Sequence, residues 1–491
     1  MANDSAARWP DLVFSGDATT GNLSRAVRRG TLRRVTRGVY TGDLRSDLQE
    51  VTRRHLWPIV AHEMPGAVIA DRSVPAGGLP SDGALYVVHS RRNSLQLPGV
   101  TVYPRTGPRA VEGDMALPEG LWMSSTERAL LDNLAAHPDD ARWMTRTEVE
   151  EWIERLLQQR GEEGLNRLRD KARAASAALG RDVQMSQLDL LIAAALRTRT
   201  VDELVSPALY ARAAGIPYDD RRIRQLEKLA GTLASLPPDV LADRADLAER
   251  RTLLPFYEAY FSNFIEGTEF TLDEASEIVF EQHVLTDRPK DSHDILGTYE
   301  LVSDVDEMAR TPRDADDLVA TLKARHSVLM ARRPEALPGQ FKTRANRAGL
   351  TEFVAPDLVE GTLRRGWEIA GELRSPFSRA VYMMFLVAEI HPFVDGNGRI
   401  ARIMMNAELV GHREVRIIVP TVYRANYLSA LKAASHTDNF DALVATLAFA
   451  RKYTARIDFT NRATAEADLA RTNAFLDAHD AEENGIRLVL P

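Results

Sequence analysis

Twelve consecutive residues, His391-Pro392-Phe393-Val394-Asp395-Gly396-Asn397-Gly398-Arg399-Ile400-Ala401-Arg402, bring together an imidazole, a carboxylate, a glycine-rich turn and two guanidinium groups. The apolar run before them, from Val381 to Ala388, predicts a buried helix that stops near His391, because a residue preceding proline is driven out of the α region. The imidazole is then left at a helix end, facing the loop. Gly396-Asn397-Gly398 can turn successive N–H groups inward and form an anion nest at the start of the next helix, where phosphate oxygens are natural guests. Arg399 and Arg402 are three apart, so they share a helix face and can both reach a polyphosphate with forked donors. Asp395 is a hard oxygen ligand suited to Mg²⁺ held partly by substrate. His391, with an ordinary pKa near neutrality, can take the proton of an attacking hydroxyl.

This stretch resembles the Fic motif, HPFx(D/E)GN(G/K)RxxR, and matches it at every fixed position. The resemblance implies a protein adenylyltransferase that moves AMP from ATP to a Ser, Thr or Tyr hydroxyl, possibly of the chain itself. It implies His391 as general base, Asp395 as Mg²⁺ ligand, Gly396, Asn397 and Gly398 as anion hole, and Arg399 and Arg402 as grips on the outer phosphates. Gly398 speaks against the phosphorylating subgroup, which tends to carry Lys there.

A second stretch, Phe261 to Thr268, follows the aromatics Phe256, Tyr257 and Tyr260, and predicts a buried helix ending at Gly267. Thr271 and Glu274 have the spacing of a capping box for the helix after it. Ser262, Glu266 and Gly267 resemble the inhibitory motif (S/T)xxxE(G/N) of many Fic proteins, which implies that Glu266 pairs with Arg402 and displaces ATP from its reactive pose. The same Glu266 could instead position water to strip AMP from a modified target. Leu337–Lys342 and Thr351–Pro356 resemble the two arms of the Fic flap, with Phe353 and Val354 on the arm expected to hold an extended target segment. Arg424-Ala425-Asn426-Tyr427 resembles the RxxY helix beside the nucleotide base. Leu428 and Ser435 depart from the family pattern there, which leaves ATP, UTP or another donor open.

The elements that must carry this site lie in a chain of 491 residues, long enough for two to four domains. With 44% hydrophobic and 27% charged residues, the composition is that of an ordinary globular protein. No apolar stretch approaches the roughly 20 residues that cross a bilayer, and the N-terminus has no signal-peptide layout. The absence of cysteine excludes disulfides and fits a cytoplasmic protein. A net charge of -8 opposes wholesale coating of nucleic acid but leaves room for a local basic patch. Asn22–Tyr40 supplies one: Leu23, Val27 and Leu32 make an apolar side, while Arg25, Arg28, Arg29, Arg33 and Arg34 remain free to point outward. This segment, the strand-like runs Leu85–His89 and Val100–Tyr103, and Ser124–Asp132 resemble AbiEi-type antitoxins over about the first 140 residues. That resemblance implies a winged helix with salt-sensitive DNA contacts. The other reading is a solvated basic face docking on an acidic part of the same chain.

The expected architecture is therefore multidomain and mainly α. It runs as a winged-helix-like domain at 1–75, a small α/β antitoxin-like domain at 76–180, a helical linker at 181–250 with a hinge at Leu236-Pro237-Pro238, an all-α Fic core with a β-hairpin flap at 251–455, and a C-terminal helix and tail at 456–491. Thr147–Gly180 predicts two charged helices interrupted around Gly161 and Gly164. His293, His326 and His436 are expected to pack or lie at the surface, since no cluster has zinc-site spacing. Two functions compete: an autoinhibited adenylyltransferase, and a DNA-binding antitoxin or regulator that uses the Fic domain as a nucleotide sensor. The target protein and the oligomeric state, a homodimer included, are left open.

Overall fold

The computed structural model describes residues 9–80, 82–135, 141–201, 203–243, 248–349 and 351–491. The chain is mainly helical and divides into two compact units, Met1–Gly215 and Ile216–Pro491.

In the first unit, Val13–Phe14, Arg33–Thr36 and Val39–Thr41 form an antiparallel sheet with Val39–Thr41 in the middle. Helix Thr20–Arg28 covers it through Leu23 and Ala26, which pack with Val13 and Leu32. Arg33 and Arg34 therefore sit on a strand. A six-stranded mixed sheet follows, in which Ala84–Val88 lies between Val100–Arg105 and the two-residue strand Val68–Ile69. The expected boundary at 75/76 would cut this sheet. Val68 and Ile69 pair with Val88 and Val87 and are fully buried, so they belong with the strands after them. In helix Thr126–Leu134, Arg128 is buried against Asp114 at 2.6 Å, while Asp132 holds Arg105 at 2.9 Å and Arg181 at 3.0 Å. These residues of the antitoxin-like motif are held inside the unit as ion pairs. Helix Arg146–Leu179 breaks at Gly161 (φ 67°, ψ 177°), whereas Gly164 continues the helix and is buried. Its far half shares a core with helix Asp182–Ala195 through Leu165, Leu168, Leu188 and Ile192.

The expected linker 181–250 is thus not a free connector, and the division falls before Leu236. Helix Asp182–Ala195 belongs to the first unit, and helix Asp220–Ala234 to the second. The latter buries Ile223, Leu226, Leu229 and Leu233, and Leu233 O accepts from Ser378 Oγ at 3.1 Å. At the centre of the second unit, helix Pro376–Ile390 packs along helix Asn397–Val410. Met383, Phe385 and Leu386 of the first and Ile400, Ile403 and Met404 of the second are essentially inaccessible to solvent. Around this pair stand Ala248–Ile265, Pro289–Ser303, Ala315–Leu329, Val359–Ala370, Arg424–Thr437 and Phe440–Arg456. The C-terminal segment belongs to the same unit: Phe475 stacks on Phe261 and Phe459 lies against Tyr257, both on Ala248–Ile265. Among the described residues, no helix is long and apolar enough to cross a membrane.

Candidate functional site

Helix Pro376–Ile390 ends as its sequence demands, but not in the extended form usual before proline. His391 takes a left-handed conformation (φ 54°, ψ 59°), a region that non-glycine residues occupy at a cost and chiefly at functional sites. Its Nδ1 lies 3.2 Å from Ala388 O. A carbonyl only accepts, so Nδ1 carries the proton and Nε2 is left with a lone pair. Burial, with the Lys342 ammonium nearby and against the bond to Ala388 O, lowers the pKa of His391 from 6.5 to about 4. Phe353 covers the ring face, with centroids 3.7 Å apart and planes 6° from parallel.

The turn after it is built by its own side chains. Asn397 Oδ1 accepts from Phe393 N at 2.8 Å and its Nδ2 donates to Phe393 O at 2.9 Å, so this buried amide shapes the loop. Only Gly396 uses a left-handed φ (76°), opening helix Asn397–Val410. Gly398 is helical, and its lack of a side chain matters for space. A Cβ there would stand 2.2 Å from Glu266 Oε1. His326, absent from the predicted site, bridges the turn: it accepts at Nδ1 from Gly339 N at 3.0 Å, so Nε2 donates to Asp395 O at 3.1 Å, and it stacks on Phe393 at 3.7 Å.

Both arginines face the end of helix Ala248–Ile265. Buried Arg402 donates to Ser262 Oγ (3.0 Å), Ser262 O (2.8 Å) and Glu266 Oε1 (2.7 Å). Glu266 stands just past the helix, and Gly267 (φ 92°) makes the turn that follows. Burial raises the carboxyl pKa of Glu266, but the Arg402 and Arg399 charges outweigh it and hold the group below its usual range. Arg399 reaches Asp294 Oδ2 at 2.7 Å and Asn263 Oδ1 at 3.3 Å; neither partner was foreseen from the motifs. Tyr427 does not line an open base pocket. It is 1% exposed, and its hydroxyl lies against Arg402 and Met384 Sδ.

The flap is shorter than its sequence suggests. Arg347–Ala348 pairs with Thr351–Glu352, while Leu337–Lys342 is irregular, since Lys342 is drawn onto the motif loop. Its N–H donates to Pro392 O at 2.8 Å and its Nζ to Ile390 O at 3.3 Å. Val354 is buried and anchors the flap, so Phe353 is the side chain set over the imidazole. Asp395 is half exposed; its Oδ1 accepts from Gly396 N at 2.7 Å and its Oδ2 from Arg333 at 3.1 Å. Among the described residues, no three His, Cys, Asp or Glu side chains gather to hold a metal. This one accessible carboxylate beside a phosphate-type nest fits Mg²⁺ that takes its remaining ligands from substrate and water.

The site therefore gathers an unprotonated imidazole nitrogen, a carboxylate seated at a helix start and two guanidinium groups around it. Residues 317–409 match the Fic/DOC family model. Over 302 residues the chain is 27% identical to a protein adenylyltransferase Fic from Nematostella vectensis, covering 58% of this chain and 68% of that protein. It is 28% identical over 232 residues to one from Drosophila persimilis, covering 45% and 43%. It thus spans about two-thirds of the first relative and under half of the second. A solved segment of Fic-1 from C. elegans aligns over 73% of this chain and 92% of its own length, at 16% identity and a TM-score of 0.36. Residues 317–409 thus match the Fic/DOC family model, and the relatives that the chain resembles over a longer stretch are named protein adenylyltransferases.

Proposed function

We propose that the chain is an autoinhibited protein adenylyltransferase that moves AMP from ATP to a protein hydroxyl. The observation that carries this reading is the Glu266 carboxylate, seated over Gly398 and bonded to Arg402 at 2.7 Å where the site is built to hold phosphate. A carboxylate at a helix start, paired with arginine, stands in for a phosphate oxygen. With Glu266 swung away, Arg402 and the N–H groups opening helix Asn397–Val410 are free for the outer phosphates of ATP. Asp395 is the residue that would hold Mg²⁺, which would offset the negative charge of the nucleotide's phosphates. His391 Nε2 takes the proton of the target hydroxyl as its oxygen bonds to the α-phosphorus, the α–β bridge breaks, and pyrophosphate leaves. Mass spectrometry of Glu266→Gly protein incubated with mixed nucleotides and Mg²⁺ tests the reading: an added AMP residue on a Ser, Thr or Tyr is expected, and an unmodified mass overturns it.

A second activity for the first unit is favoured by Arg25, Arg28, Arg29 and Arg34, which are exposed and, among the described residues, have no carboxylate partner. Such a face suits salt-sensitive binding of duplex DNA.

A further inference from the structure

Beside the Glu266–Arg402 pair, a separate chain of charges crosses the site. Asp294, in the middle of helix Pro289–Ser303 and 5% exposed, is shared by two guanidinium groups: Arg399 at 2.7 Å and Arg333 at 2.8 Å. One carboxylate cannot neutralise two cations. The excess is taken up at the other end, where Arg333 Nη2 reaches Asp395 Oδ2 at 3.1 Å. The order Arg399–Asp294–Arg333–Asp395 is electrically neutral as it stands. Arg333 also holds Glu335 at 3.1 Å through Nε, so it can release Asp395 without being left unpaired.

We propose that Arg333 is a second restraint on this site: it occupies Asp395, the carboxylate that would take the divalent cation, so that metal-dependent nucleotide binding must displace Arg333 independently of Glu266. The inference rests on the nucleotide reading above. A guanidinium and a divalent cation cannot both lie against Asp395 Oδ2 without strong repulsion, so the two compete for it. Asp294 sets the strength of the competition by holding Arg333 from the buried side, where Arg333 Nη1 donates to both of its carboxylate oxygens at 3.0 and 2.8 Å. Arg333 is a positioning residue here, since it touches neither the reacting phosphorus nor the hydroxyl. A half-exposed ion pair is worth up to about a factor of five in affinity, and loss of the cation–cation repulsion adds to this. Removing Arg333 should therefore tighten metal-dependent binding by about three- to tenfold.

The test is calorimetric titration of the full-length Glu266→Gly protein with α,β-methylene-ATP, whose α–β bridge cannot be cleaved, once with Mg²⁺ and once with EDTA. Adding Arg333→Gln is expected to tighten binding about three- to tenfold with Mg²⁺ and to leave binding in EDTA unchanged. Arg333→Lys keeps the charge but cannot bridge both carboxylates, so it should fall between the two and serves if the glutamine variant does not fold. Equal or weaker Mg²⁺-dependent binding, or equal changes in both buffers, overturns the restraint and leaves the nucleotide reading standing. If Asp395→Asn does not remove the Mg²⁺-dependent gain in the Glu266→Gly protein, or no gain exists, the nucleotide reading falls and this inference with it.

Discussion

Replacing Glu266 with glycine removes the anion from Arg402 but leaves the two bonds that Arg402 makes to Ser262. A hydrogen bond between charged partners contributes about 1.5–3 kcal/mol. Glu266 keeps a third of its side chain in water, so the lower part of that range applies, about 1.5–2 kcal/mol. If ATP reaches its reactive pose only when this bond is open, self-labelling should rise by about 10- to 30-fold at fixed ATP, since each 1.4 kcal/mol is a factor of ten. A stability measurement checks the same bond from the other side. Without nucleotide the variant holds Arg402 buried with no counter-anion, which should cost about 1–3 kcal/mol, less than a wholly buried pair because the Ser262 bonds persist. Phosphate then supplies the missing anion, so Mg²⁺–ATP should raise the melting temperature of the variant more than that of the wild type. Radiolabel transfer and thermal denaturation in the same buffer give both numbers. Unchanged labelling together with an unchanged nucleotide-induced shift would refute the inhibitory role of Glu266, because both effects come from one contact.

His391→Ala in the Glu266→Gly background should lower labelling by about 10²- to 10⁴-fold while leaving nucleotide affinity intact, which calorimetry can separate. Because Arg402 depresses the carboxyl of Glu266 below its usual range, its contribution is present above that range and lost only as pH falls through the depressed value; inhibition, read as the labelling ratio of variant to wild type, should be flat from pH 6 to 9. His326 is fully buried and lowered from 6.5 to about 4, so its contribution is complete above pH 6.5 and lost as pH falls toward 4; His391 is lowered alike and adds its own loss, so in urea denaturation His326→Gln should lose about 3 kcal/mol less stability than the wild type between pH 7 and pH 4. Arg28→Ala with Arg29→Ala should weaken duplex DNA binding and reduce its salt dependence in a filter or anisotropy assay, and no binding by the wild type removes that second activity.

What the sequence made legible follows the distance over which each contact is made. The turn from His391 to Arg402 makes its internal bonds between residues no more than four apart, such as Phe393 with Asn397, so that part of its geometry is written in adjacent letters, whereas His326 and Lys342 brace it from distant segments. Glu266 and Arg402 are 136 positions apart, and only a family pattern could bring them together beforehand. Asp294 and Arg333 had no pattern. Each looks like a solvated charge in its own segment, and their meeting with Arg399 and Asp395 depends on how helix Pro289–Ser303 packs beside helix Asn397–Val410. The domain boundaries failed for a related reason. Val68–Ile69 is too short to show strand alternation, and the apolar stripe of Asp220–Ala234 states that the helix packs without naming its partner. That helix nevertheless reaches the site: Arg222 is buried against Glu389 and donates to Glu352 O on the flap, while Gln225 holds the carbonyls of Ala434 and Ser435. A segment that reads as linker thus ties the flap to the helix carrying Tyr427. The chemistry of such a site is local in sequence, but the restraint proposed for it would come from residues far away along the chain.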